Sequence, residues 1–596
     1  QNRVLQEVRV RFSLRPPKNV MNLDNFNSLI ELFFYQSEKQ DSKSVFLQWL
    51  NPNNNKKFTW EETKINILKL SKIIKENVKE GDRCLLVSEN RPEWFISDLA
   101  IMLAGAITVP AYTTYTKDDY KYLIEDCEPT LIIVSNNDML KKLNAIIDEK
   151  NFIKKVITFD ELEKAHHNLN IIHKEKYLDF NFIMKNDLSE KDKIQNLNLK
   201  RTSAACIIYT SGTGGNPKGV ILSHGGILNN LVGACEIMKP LINSRPVFLT
   251  WLPLSHSYEH CVQFAQIAVG AKVYYAEKIE KLLDNISEAK PTIMTAVPRF
   301  YQNLYNKINI NMKKQTGLKA KLISATIKLG KKKLLKEKMS FFERLLNSLL
   351  DVLVRKKIKK QFGGNLKAFV SGGGALDKEI GEFLNSIGLP TLQGYGLTET
   401  SPVVSCNPIH KIKVETVGPP FKGNKVKIAE DGEILVKGEN VMLGYWNKKE
   451  ETDKVIINGW LHTGDIGEIN PEDGYLKITD RKKDIIVSAG GDNISPAKIE
   501  NMITNELEID QCMVYGDKKN YLVALIVPNK DFLKEKEKIN KIIEKINNKL
   551  TLVEKIKKIQ LINENFSIEN GLLTPTMKVK RKKVTEKYKN QLENLY

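Results

Sequence analysis

Disulfide chemistry has little to work with in this 596-residue chain: seven cysteines stand singly at 84, 127, 206, 235, 261, 406 and 512. An odd count without a CxxC pair excludes a disulfide framework and a zinc site of ordinary spacing, and it suits a reducing, cytoplasmic compartment. Long apolar runs are missing too. The longest, Leu99 to Ala111, is interrupted by Gly105 and meets Pro110, too short for a membrane span, so the chain is expected to be soluble or membrane-peripheral. Nucleic-acid motifs are absent although the net charge is +20, which would ordinarily raise nucleic acid or anionic membrane as a partner. Lys, Asn and Ile are enriched together, so the charge follows general composition, and no nucleic acid is expected. Residues 1–20 lack the apolar stretch and small-residue cleavage site of a secretory leader. Their arginine-rich texture differs from the lysine-rich chain beyond Met21, and they read as a non-native or disordered extension.

What is present is an α/β texture. Helical and strand-like segments alternate from Phe26 to Pro110, and a hydrophobic content of 42% suffices for a sizeable core. The most informative stretch is Tyr209 to Gly219, YTSGTGGNPKG, which comes directly after the apolar strand Ala204 to Tyr209. Its glycines, Gly212 among them, turn backbone N–H groups toward an anion, Thr210, Ser211 and Thr213 add hydroxyls, and Lys218 adds a point charge. It reads as a phosphate cradle. It is not a P-loop, because Gly219 stands after Lys218 where a Ser or Thr would hold magnesium. A carboxylate elsewhere must do that.

Further along, WLPLSHSYEH at 251–260 places His256 at a strand-to-helix turn, as either a capping or a binding residue. His260 has no comparable warrant. Residues 136–200 are polar and read as surface. Residues 302–363 form a helical insertion in which lysines crowd, as in GKKKLLKEK at 330–338, while Phe342, Leu346, Leu349, Leu350 and Leu353 keep a helical stripe. This is a basic amphipathic face, either a solvated surface or a dock for anionic membrane. The strand Leu366 to Val370 feeds the turn SGGG, containing Gly373, and the strand Leu389 to Gln393 feeds GYGLTET at 394–400. Two strand-to-glycine turns make a seat for a nucleotide at the carboxyl ends of a sheet. Tyr395 offers an aromatic face for adenine and Thr398 a hydroxyl for phosphate. Glu399 offers the missing carboxylate, since Mg2+ takes one or two carboxylates with substrate phosphates.

YTSGTGGNPKG resembles the signature of the adenylate-forming superfamily, usually YTSGTTGxPKG, and departs from it at Gly214. NRPEWFISDLA, GAITVPAY, GYGLTET, MLGYWNKKEET, GWLHTGD, DRKKD and LLTPTMKVKRKK also stand in family order, most similar to long-chain fatty acid CoA ligases. The resemblance implies a large multi-sheet N-terminal domain (21–480) and a small mobile α+β C-terminal domain (481–596). It also implies MgATP, fatty acid and CoA as reactants, with acyl-AMP as intermediate. Asp465 would hold the ribose hydroxyls, with Arg481 on the ribose side, and Lys483 would stand at the hinge. His256 would lie by the substrate carboxylate, and Lys578 would be the catalytic lysine. Two alternatives stay open: a fatty acyl-AMP ligase or acyl carrier protein synthetase, and a non-catalytic basic binder of membrane or nucleic acid.

Overall fold

The computed structural model describes residues 21–596 apart from 53–54, 162–172, 190–191, 193–197, 211–216, 534 and 575–576, with backbone only at 313. The extension 1–20 therefore lies outside the described residues.

Short β-branched runs separated by helices produce two eight-stranded, largely parallel sheets, as alternating β and α segments require. In the first, the strands run in the order Val403–Cys406, Thr391–Gly396, Ala368–Ser371, Ile293–Ala296, Val247–Thr250, Lys272–Tyr275, Val45–Trp49 and Lys57–Thr59. The second runs Gly444–Tyr445, Lys218–Ser223, Ala204–Thr210, Ile107–Ala111, Arg83–Val87, Leu131–Val134, Lys155–Thr158 and Tyr177–Asp179. The largest core cluster takes residues from both sheets and from the helices beside them, including Phe46, Trp60, Phe95, Leu228 and Phe264. Helix Pro92–Leu103 is buried at every position, which explains why its sequence shows no polar face.

The NRPEW turn before that helix is a packing device. Arg91 lies buried and donates to both carboxylate oxygens of Glu93 at 3.0 and 3.1 Å. Asn90 donates to the Leu252 carbonyl at 2.6 Å and accepts from the Leu254 N–H at 3.0 Å, which ties this turn to the segment that carries His256.

The region 136–200 corrects the sequence reading. Helix Asn137–Glu149 buries Leu140, Leu143, Ile146 and Ile147, and strands Lys155–Thr158 and Tyr177–Asp179 extend the second sheet. Every third or fourth position is apolar, and the lysines between them masked that period.

Next along the chain is a five-stranded, antiparallel sheet, in which Trp460–Ile469 lies between Glu433–Lys437 and Leu476–Arg481. The last strand runs to Arg481, so the expected boundary at 480 falls inside it. Beyond the turn at 482–484, a three-stranded sheet of Ile509–Tyr515, Leu522–Pro528 and Ile556–Leu561 packs against helices Pro496–Thr504 and Lys536–Asn547. Ser495 caps the first of these helices and Pro496 opens it, as Ser-Pro at a helix start should. No helix among the described residues is long and apolar enough to cross a membrane.

Candidate active site

Strands Ala204–Thr210 and Lys218–Ser223 pair antiparallel with Thr210 opposite Lys218. Ser211, Gly212 and Thr213 lie outside the described residues. The Thr210 hydroxyl donates to the Lys218 carbonyl at 3.4 Å. Gly219 is obligatory here, since a Cβ would come 2.8 Å from Ile207 Cγ2 and 3.0 Å from the Tyr209 ring. Lys218 Nζ stands 2.8 Å from Glu451 Oε2 and 4.8 Å from the centre of the Tyr445 ring. The Tyr445 hydroxyl in turn donates to Glu399 Oε1 at 2.9 Å. One tyrosine thus links the expected phosphate lysine to the expected metal carboxylate. Hydrogen bonds from Lys218 and then Lys454 hold the Glu451 carboxyl down at about 2, so it is charged at any working pH.

The neighbouring sheet delivers the next parts at its strand ends. Strand Ala368–Ser371 ends at Gly372–Gly374, where Gly373 has φ 79°, a left-handed conformation that a glycine adopts freely. Strand Thr391–Gly396 runs into the short helix Thr398–Thr400. A Cβ at Gly396 would sit 1.7 Å from the Pro402 carbonyl oxygen, so the chain can double back only with glycine there. Thr398 Oγ1 lies 3.1 Å from Ser257 Oγ. Ser257 opens helix Ser257–Ala268, and His256 is its N-cap, with Nδ1 accepting the Tyr258 N–H at 3.2 Å. Burial, then the charge of Lys578, pushes the imidazole down to about 4. The neutral ring therefore carries its proton on Nε2. Capping uses one nitrogen and leaves the other as a donor, so the two readings of His256 are compatible.

His260, one turn on, is structural: its Nε2 lies 2.8 Å from Asp98 Oδ2 in the core, a carboxylate that also accepts from Gln263. Although burial opposes its charge, Asp98 raises the imidazole to about 10.

Asp465 and Arg481 sit opposite one another on paired strands, with Arg481 Nε 3.3 Å from Asp465 Oδ1. The Tyr395 hydroxyl donates to Asp465 Oδ2 at 2.7 Å. Burial pushes the Asp465 carboxyl up, while Arg481 and the Tyr395 hydrogen bond oppose this. Tyr395 is therefore partly fixed by its polar end, and its ring is half-buried against the five-stranded sheet.

Lys578 comes from the small domain. Its N–H donates to Thr574 Oγ1 at 3.0 Å, and its carbonyl accepts the Thr574 N–H at 2.8 Å, with Met577 between them at φ 63°. Arg581 anchors this segment by donating to the Val514 carbonyl at 3.2 Å and pairing with partly buried Glu500. Lys578 is exposed to solvent, with the charged groups of both domains around it. Desolvation, then the nearby Arg481, lowers its ammonium, while Asp465, Asp484 and Glu399 oppose the shift. Lys578 thus lies within electrostatic reach of Glu399 and Asp465 and of His256. Gln302 fastens this arrangement through the Thr504 carbonyl and Asn505.

Lys218, Glu399, Thr398, His256, Tyr395, Asp465, Arg481 and Lys578 therefore share one neighbourhood, joined by Tyr445 and Ser257, by the Tyr395–Asp465–Arg481 contacts and by the charge of Lys578. Lys483 does not; it is exposed in the turn after Arg481. The N–H of its neighbour Lys482 still donates to the Gly464 carbonyl of the large domain at 2.8 Å. Tyr445, Glu451 and Ser257 also belong to the site and were not predicted.

The same architecture recurs in known proteins. The AMP-binding enzyme family matches residues 33–446, and the C-terminal domain of AMP-binding enzymes matches residues 483–596. The chain belongs to the AMP-binding enzyme family. Among relatives of these adenylate-forming enzymes, a long-chain-fatty-acid–CoA ligase of Mycobacterium bovis is 31% identical over 566 residues, covering 88% of this chain and 89% of its own. Long chain acyl-CoA synthetase 6, peroxisomal, of Arabidopsis thaliana is 32% identical, covering 88% and 79%. The AMP-binding fold is shared with the anthranilate CoA ligase AuaEII in complex with anthranoyl-AMP, at TM-score 0.75 and 19% identity over 96% of this chain and 99% of that one. It is also shared with ATP-bound MatB from Rhodopseudomonas palustris, at TM-score 0.71 and 21% identity over 95% and 100%.

Proposed function

We propose that this enzyme is a long-chain fatty acid CoA ligase. A fatty acid carboxylate oxygen attacks the α-phosphorus of ATP, the bond to the β-phosphate oxygen breaks, and acyl-AMP and pyrophosphate form. The CoA sulfur then attacks the acyl carbon and AMP leaves. The observation that carries this reading is the electrostatic proximity of Lys578, from the small domain, to the Tyr395–Asp465–Arg481 and Glu399–Tyr445–Lys218 groups. Identities of 31% and 32% to long-chain ligases over most of the chain support the substrate class.

In this reading Asp465 accepts from the ribose hydroxyls, Lys218 and Thr210 face the β- and γ-phosphates, and Thr398 faces the α-phosphate. His256 presents its Nε2–H to the substrate carboxylate, and Lys578 places positive charge where carboxylate and phosphate meet. Such preorganised donors, rather than a protein nucleophile, are what phosphorus chemistry of this kind needs. The donor set suits Mg2+ carried in by ATP: Glu399 Oε2 accepts no hydrogen bond among the described residues, and no group of three ligating side chains among them could hold a metal alone. The ion would be held by Glu399 and substrate oxygens, neutralising phosphate charge. The small domain would pivot at Lys483 between the half-reactions. The seven unpaired thiols suit a cytoplasmic setting, and the lysine-rich helices between 317 and 361 suit peripheral association with anionic membrane. A panel of saturated acids from octanoate to palmitate, read by AMP release with CoA present, tests the substrate class. Long chains should give the highest kcat/KM, and a preference for short or aromatic acids would overturn it.

Two variants probe the nucleotide side. Tyr395→Ala should raise the KM for ATP about fivefold or more, since base stacking on an aromatic ring contributes roughly 1–3 kcal/mol. Tyr395→Phe keeps the ring and should lose much less. Equal losses would assign the effect to the Asp465 hydrogen bond instead. Glu451→Gln frees Lys218 from its intramolecular counter-ion, so the KM for ATP should fall by about two- to fivefold with kcat unchanged, a small effect because the pair is solvent-screened. A raised KM would show that Glu451 holds Lys218 in its working position.

A further inference from the structure

Most surface helices turn their apolar stripe toward the protein. Helix Phe341–Leu350 and its continuation Asp351–Arg355 do the reverse. Phe341 and Phe342 are 76% and 79% exposed, and Leu345, Leu349 and Val352 are each more exposed than buried, with Leu346 and Leu353 beside them. At 3.6 residues per turn those of helix Phe341–Leu350 fall within an arc of about 140° that contains no polar residue, and Val352 and Leu353 continue the exposed apolar surface on the π-helical turn Asp351–Arg355. The opposite side is the anchored one. Asn347, Leu350 and Arg355 are buried there, and the Arg355 guanidinium donates to the Ser386 carbonyl at 2.7 Å, the Thr326 carbonyl at 2.9 Å and Asp351 Oδ1 at 2.7 Å. The stripe expected from the sequence exists, but only Leu350 of its members faces inward.

Around this ridge, residues 331–360 carry eleven lysines and arginines against three acidic residues. Lys331 and Lys332 are paired, with Glu382 and Glu343. Lys333, Lys336, Lys338, Lys356, Lys357 and Lys360 form no ion pair among the described residues. A continuous exposed apolar patch of this kind marks an interaction surface, and the charge around it selects the occupant. A second copy of the chain in a two-fold pairing would press one lysine rim against another. An anionic lipid surface instead matches the rim and takes up the ridge.

We propose that Phe341–Arg355 is a docking wedge for anionic membrane, with the apolar ridge entering the interface and the unpaired lysines engaging headgroups. It lies one helix away from the catalytic site. Helix Gly317–Leu334 crosses helix Lys378–Ser386 at Gly330, where a Cβ would meet the Ser386 carbonyl oxygen at 2.3 Å, and Lys378–Ser386 comes after the glycine turn at 372–374. Only the purpose of docking rests on the ligase reading; the surface itself does not.

The test is co-sedimentation, without substrates, with phosphatidylcholine vesicles containing or lacking phosphatidylglycerol. The unaltered protein should prefer the anionic vesicles. A Phe341→Ser, Phe342→Ser, Leu345→Ser triple variant should bind them about tenfold more weakly or worse even at low salt. A Lys333→Gln, Lys336→Gln, Lys338→Gln variant should lose most of the preference for anionic lipid and its salt sensitivity. Both should melt with the unaltered protein and release AMP from octanoate at the same rate, because none of these residues reaches the site. Equal vesicle binding by the unaltered protein and the serine variant, or no vesicle binding by either, overturns the proposal. So does a solution dimer that the serine variant dissociates, which would give the ridge to a second copy. If vesicle binding behaves as expected while no acid is activated, the ligase reading fails and the wedge stands.

Discussion

Lys578→Ala is expected to lower acyl-adenylate formation by about 10²- to 10³-fold, the usual cost of removing one preorganised contact to a transition state, while supplied acyl-AMP and CoA still give thioester. The argument is positional. Thr574 holds the backbone of Lys578, and the ammonium lies within electrostatic reach of Glu399, Asp465 and His256, as adenylation requires. The ammonium is the working form, and desolvation followed by Arg481 lowers its pKa. Adenylation should therefore decline with rising pH earlier than an ordinary lysine would dictate, and the alanine variant should lack that limb. Lys483→Pro should do the opposite, keeping adenylation and losing thioester formation. Proline would fix φ where the chain leaves Lys482, whose N–H is still held by Gly464. Equal loss of both half-reactions in both variants, with the fold intact, would remove domain alternation from the account.

Glu399→Gln is expected to reduce adenylation by about 10²-fold or more at ordinary magnesium concentrations and to spare thioester formation from acyl-AMP. An amide is a neutral and weaker ligand for a hard cation, yet its oxygen can still accept the Tyr445 hydroxyl, so the site's geometry should survive. Partial rescue by raised magnesium would separate weakened metal binding from misfolding. Activity equal to that of the unaltered enzyme would remove Glu399 from the site.

The parts of the site that were legible in the sequence are those whose chemistry lies within one local segment. GYGLTET carries an aromatic ring, a hydroxyl and a carboxylate on a single strand-to-helix turn, and the structure keeps them together. GWLHTGD and the first two residues of DRKKD lie on paired strands, so Asp465 and Arg481 meet across one register position. What was missed depends on contacts between distant segments. Glu451 meets Lys218 across 233 residues, and Ser257 meets Thr398 across 141; no local pattern signals either. Tyr445 was visible inside a recognised motif, but its role arises only because strand Gly444–Tyr445 pairs with the lysine-bearing strand.

The fold was legible to a similar depth. Strands and helix caps such as Ser495 and His256 derive from local pattern and local hydrogen bonding. Residues 136–200 were misread because lysines and asparagines diluted an apolar period that packing uses fully. The insertion shows the reverse error of inference, where a correct period says nothing about which side is covered: Phe342 and Leu349 lie in solvent, and Arg355 faces the protein.

The central claim is that one site activates a long-chain acid and passes it to CoA. Its most direct test is a product balance by mass spectrometry after incubating the protein with MgATP, palmitate and CoA, with acyl carrier protein replacing CoA in a parallel reaction. Palmitoyl-CoA, AMP and pyrophosphate should accumulate in equal amounts, with no acylated carrier. Accumulation of palmitoyl-AMP without thioester, or transfer to carrier protein in preference to CoA, would contradict it.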